Sequence, residues 1–101
     1  MITTITKRIN TYNFEFEFDL TCTASPEQYD VTLEGKQVGY VRLRWGFLRC
    51  DYPNIGGETI YEYAFTDGWQ GCFNDDYQRN NHLDLIAKAL YNRILESETV
   101  R

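Results

Sequence analysis

An α+β fold, an antiparallel sheet of about five strands with one C-terminal helix on its apolar face, is predicted by three observations. The segment Tyr12–Cys22 alternates without interruption, with Tyr12, Phe14, Phe16, Phe18, Leu20 and Cys22 apolar and every residue between them polar. That period of two belongs to a strand buried on one face and wet on the other. Shorter alternating segments follow, each bounded by turn residues. Near the end, Leu83, Ile86, Ala87, Leu90 and Ile94 recur at spacings of three and four, the stripe of an amphipathic helix. A row of phenylalanines has to be covered, and a helix crossing the sheet can cover it.

The remaining elements follow in order. Ile2, Ile5 and Ile9 lie among threonines and alternate poorly, so this segment is either a ragged edge strand or the lead-in to the long strand. The chain breaks at Ala24-Ser25-Pro26. Tyr29, Val31 and Leu33 alternate up to a tight turn at Glu34-Gly35-Lys36. Val38 opens the next strand, but its parity changes before Val41, Leu43 and Trp45, and a bulge at Gly39 would account for the switch. Gly46 allows a bend or a second parity change before Phe47, Leu48, Cys50 and Tyr52. Pro53–Gly57 is a loop. Thr59–Phe65 forms a strand with Tyr61, Tyr63 and Phe65 on one face, and Asp67-Gly68 signals a hairpin into a last short strand, Trp69–Phe73. The helix stripe rises about 16 Å. Two caps fit its start: Asn81 with Asp84, or Asn74 with Asp75 and Asp76 in the first turn.

The 101 residues read as one domain, 1–101, with one core. No apolar run is long enough for a membrane span, and the N-terminus has no export-signal pattern. Cys22, Cys50 and Cys72 are odd in number and contain no C-x-x-C pair, which points to reduced thiols and a cytoplasmic setting. Charge is unevenly distributed: residues 1–50 balance to zero, and residues 51–101 carry the whole excess of −5. Such a surface repels nucleic acid and attracts basic partners.

No catalytic or cofactor signature emerges. Gln70-Gly71-Cys72-Phe73 faintly resembles the surroundings of the nucleophile in papain-like cysteine proteases. The only histidine, His82, would stand about 15 Å away along a continuous helix, so Cys72 reads as a buried structural thiol and His82 as a surface residue of the first turn. The EF-hand pattern and both glycine-rich phosphate loops are missing, so neither a metal nor a nucleotide cofactor is expected.

Two binding readings remain. Tyr40, Arg42 and Arg44 share one face of a strand, as in sheets that stack single-stranded bases. Glu15, Glu17 and Asp19 on a neighbouring strand would cancel that patch, so direct nucleic-acid binding is disfavoured. The second reading makes the acids the interface. The row Glu15, Glu17, Asp19 has one carboxylate per ~6.7 Å, about fourfold sparser than the phosphates of duplex DNA. Imitating DNA would require Asp51, Glu58, Glu62, Asp67, Asp75 and Asp76 on the same side. The segment Ala64-Phe65-Thr66-Asp67-Gly68-Trp69-Gln70, with acids and aromatics continuing to Tyr77, resembles an A-F-x-x-G-W-[NQ] segment of small acidic anti-CRISPR proteins of phages and mobile elements. The resemblance implies stoichiometric inhibition of a CRISPR effector and assigns no residues. The expectation is a non-enzymatic, acidic protein-interaction domain that inhibits a nucleic-acid-binding protein through Glu58, Glu62, Asp67, Trp69, Asp75 and Asp76. The alternatives are a single-strand-binding module using Tyr40, Arg42 and Arg44, and a thiol enzyme using Cys72.

Overall fold

The computed structural model describes residues 6–22 and 26–99. Six strands, β1 (Thr6–Thr11), β2 (Phe14–Cys22), β3 (Glu27–Leu33), β4 (Lys36–Arg44), β5 (Phe47–Tyr52) and β6 (Glu58–Ala64), precede one helix, α1 (Asp76–Thr99). The strands form a single antiparallel meander in chain order, and the helix lies on one face, giving the α+β class. There are six strands rather than about five, because the ragged N-terminal segment is a true edge strand that pairs Ile9 with Phe16. Ile2, Ile5 and the expected break at Ala24-Ser25 lie outside the described residues.

Alternation placed the long strand correctly and misplaced its first residue. Phe16 and Phe18 are fully buried and Phe14 is half-buried. Tyr12 stands instead in the two-residue turn between β1 and β2 at φ 56°. Trp45 is corrected for the same reason: with Gly46 it makes the β4–β5 turn, at φ 54° and 70°. Two-residue turns with positive φ at the first central residue, as at Tyr12, or at both, as at Trp45-Gly46, match the twist of the strands they join, and so they interrupt a pattern that parity alone would continue.

The parity change in β4 is a bulge, and its extra residue is Val38, because Val31 pairs with Gly39 and Thr32 with Gln37. Gly39 serves another purpose. A Cβ there would lie 3.2 Å from Leu90 Cδ2 and 3.5 Å from Cys50 Sγ, so the missing side chain lets the helix settle onto the middle of the sheet. At its edges the sheet curls toward the helix, whose backbone comes closest to β1 and β6.

Leu83, Ile86, Ala87, Leu90 and Ile94 are all buried against the sheet. The helix is longer than its stripe, 24 residues or about 36 Å. Neither expected cap is used. Asp75 is the N-cap: its Oδ1 accepts the Gln78 N–H at 2.8 Å, and the Gln78 side chain reaches back to accept the Asn74 N–H at 2.8 Å. This is a close variant of the capping box. The strand expected over Trp69–Phe73 does not form, and Asp67-Gly68 closes no hairpin. Residues 65–75 are an irregular loop whose backbone bonds go elsewhere: the Glu27 N–H donates to Gly71 O at 2.7 Å and the Gly46 N–H to Gln70 O at 2.7 Å.

Candidate functional site

That loop builds the most distinctive surface of the molecule. The Phe65 N–H donates to Gly46 O at 2.8 Å, so the β4–β5 turn and the loop hold each other at two points. A Cβ on Gly46 would fall 2.4 Å from Asp67 O, so only glycine permits the approach. The clasp brings Trp69 edge-on to Trp45, with ring centroids 5.5 Å apart and planes at 68°. Both rings stay in solvent, Trp45 60% and Trp69 80% exposed. The guanidinium of Arg44 lies 6.0 Å from the centre of the Trp45 ring. A shallow hollow of about 300 Å³ opens between Arg42, Arg44, Trp45, Phe47 and Arg49.

The arginines of this corner are not neutralised as expected. Strand β3 intervenes between β2 and β4, with Asp19 facing Asp30 and Glu17 facing Thr32. The β2 acids turn to β1 instead: Arg8 Nε lies 3.3 Å from Glu17, and the Thr6 hydroxyl donates to Asp19 at 2.6 Å. Among the described residues neither Arg42 nor Arg44 has a carboxylate partner. Arg42 faces Gln28 on one side and Arg49 on the other. Arg49 Nε comes within 3.5 Å of Asp51, yet no acceptor is placed for a hydrogen bond to that buried nitrogen. Tyr40 is unavailable for stacking. It is buried, and its hydroxyl donates to Gln28.

The acids divide into separate places. Asp67 Oδ1 accepts the Trp69 N–H at 2.9 Å, Asp75 caps the helix, and Asp76 pairs with Arg79. With Trp69 these three share the loop and the helix start. Glu62 lies in register with Arg49 on the open sheet face. Glu58 pairs at 2.8 Å with Arg93, seventeen residues along the helix from Asp76 and so about 26 Å distant. Asp51 is only 2% exposed and is spent on Gly56 N–H, Thr59 and Arg49. The carboxylates therefore do not gather on one side, and imitation of a DNA backbone is not what this surface offers.

His82 and Cys72 depart from expectation in opposite directions. His82 is partly buried in the second turn, with Nδ1 2.9 Å from the Tyr61 hydroxyl and its ring 4.6 Å from Tyr63, 5.2 Å from Phe65 and 5.9 Å from Phe73. Burial lowers its pKa from the ordinary 6.5. Cys72 is exposed, because the loop turns Phe73 into the core and its neighbour outward. The buried thiol is Cys50, which burial pushes up to about 12.

A pH dependence follows. A neutral histidine in an aromatic box contributes stability that is complete above about pH 6.5 and is lost as the pH falls through the lower folded value. The thermal midpoint should fall over that window in the wild type and stay level in His82→Gln; an equal fall in both would remove His82 as the cause.

Sequence reasoning missed Trp45 as a site residue, since parity assigned it to the inner face; the Trp45-Gly46 dipeptide after an alternating run was the available signal. Among the described residues, no group of three or more His, Cys, Asp or Glu side chains is arranged to hold a metal ion. No described helix is long and apolar enough to cross a membrane. Comparison with protein-family models, with curated proteins and with solved structures yields no match for this chain.

Proposed function

We propose that this chain is a non-enzymatic protein-interaction domain that inhibits a nucleic-acid-binding protein stoichiometrically, with a CRISPR effector as the expected target. The observation that carries the reading is Trp69. An indole 80% exposed to water is carried on backbone that the Asp67 side chain and the Gly46 clasp hold, with Asp75, Asp76 and the exposed Tyr77 following on the same segment. Preorganised aromatic anchors edged by charge are the residues that dominate protein interfaces. The anti-CRISPR-like segment Ala64–Gln70 is this same stretch. Glu62 adds charge from the open sheet face, and Glu58 stands apart.

Inhibition is tested by titrating the protein into effector–guide complexes and following target cleavage. Cleavage should fall to its floor near one equivalent, and Trp69→Ala should weaken inhibition by about 30-fold, the effect of losing a hot-spot side chain. Undiminished cleavage across a panel of effector types would refute the proposal.

A further inference from the structure

We infer that the corner formed by Arg42, Arg44, Trp45 and Arg49, with Trp69 as its second ring, binds single-stranded nucleic acid. This goes beyond the inhibitor reading and does not depend on it.

The first reason is that two of the three arginines, Arg42 and Arg44, have no carboxylate partner among the described residues, while Arg49 has Asp51. Arg42 and Arg49 are directly opposed across β4 and β5, where like charges destabilise a sheet. Arg44 adds a third cation one pleat along from Arg42. Arg49 is offset by Asp51 and faces Glu62, the β3 acid Asp30 accepts from Gln37, and Glu17 and Asp19 lie beyond β3, engaged with Arg8 and Thr6. An anionic ligand would supply the missing partner, and nothing within the described residues does so for Arg42 or Arg44.

The second reason is the pair of indoles. Set edge to face, they leave ring surface open to solvent, and the guanidinium of Arg44 lies near one of them. Phosphate contacts beside aromatic platforms are the combination by which sheets hold single strands without reading sequence. An acidic peptide would satisfy the arginines and leave the rings without a partner. A duplex would hide its base faces within its own stack. The hollow is at the small end of ligand clefts, which suits a base or a nucleotide unit.

The net charge of −5 opposes long-range attraction, so binding is short-ranged and salt-sensitive. Two phosphate contacts on a single strand, through Arg42 and Arg44, give a slope of log affinity against log salt of about −1.4, a loss of about sevenfold between 50 and 200 mM.

The experiment uses the chain's own fluorescence, because its two tryptophans are both in this corner. Titration with an oligothymidylate of about ten nucleotides, within the span of known single-strand sites, should quench the emission saturably and with that salt slope. Trp45→Ala should weaken binding by between fivefold and over a hundredfold, the range for one stacked base. Arg42→Gln combined with Arg44→Gln should flatten the salt slope by about 1.4, with the thermal midpoint confirming that the variant is folded. No quenching at millimolar oligonucleotide would overturn the inference. Equal binding of duplex DNA, or equal displacement by polyglutamate, would overturn it too, since either shows a site that responds to charge alone. Because the isolated chain is used, failure in the effector assay leaves this result unaffected, and the converse holds.

Discussion

Glu27→Ala is expected to destabilise the protein by about 3–5 kcal/mol, a large share of the roughly 5–15 kcal/mol available to a domain of this size. Glu27 is 5% exposed at the start of β3. Its carboxylate accepts from Arg79 Nε at 2.7 Å, Arg79 Nη2 at 3.2 Å, the Phe73 N–H at 3.1 Å and the Tyr29 hydroxyl. Burial pushes this carboxyl up, but the bonds from Arg79, Tyr29 and Phe73 outweigh it and hold the group below the usual carboxylate range. Removal would leave the partly buried Arg79 guanidinium to Asp76 alone and strand a buried amide and a buried hydroxyl. Arg79 keeps a quarter of its side chain in water, which places the cost toward the lower end of the range.

The melting midpoint should drop by at least about 12 °C. A loss below about 0.5 kcal/mol, the ordinary scatter of surface substitutions, would show that the loop is anchored elsewhere. The sign in acid follows from the lowered folded value: the contribution is complete above the unfolded carboxyl value of about 4.3 and disappears as the pH falls through the folded one. Glu27→Gln should therefore lose the steep acid limb of the wild type. The same network fixes the backbone at Gly71 and Phe73, so Glu27→Ala should also loosen Trp69 from Trp45, visible as a weaker near-ultraviolet circular dichroism of the paired indoles.

Phe18→Ala is expected to cost a comparable ~3–5 kcal/mol, through a cavity rather than stranded polar groups. The ring is fully buried, its residue pairs with Val31 on β3, and it meets Tyr29 edge-on at 6.2 Å. The neighbouring strands are hydrogen-bonded on both sides, so the backbone has little freedom to close the void. Phe14→Ala should cost distinctly less. Phe14 lies at the margin of the core against Tyr91, where water can replace part of what is lost. Urea denaturation separates the two, and equal losses would contradict the placement of the core under the middle of β2.

The residues that sequence alone determined are those whose surroundings are local. Alternation in β2 put Phe16 and Phe18 inside because successive side chains of a strand must take opposite faces. The spacing from Leu83 to Ile94 did the same for α1, whose stripe needs no knowledge of what covers it. Turn residues escaped that logic: Tyr12 and Trp45 continued a pattern in the chain after the strand had ended in space. Tertiary structure alone decided the sites. The union of Glu27 with Arg79, the aromatic box around His82, the outward turn of Cys72 and the meeting of Trp45 with Trp69 all depend on one loop, residues 65–75, folding back onto the β4–β5 turn. These contacts join residues 21 to 52 positions apart or hang from the backbone that joins them. Their geometry follows from chain closure, which no local period encodes.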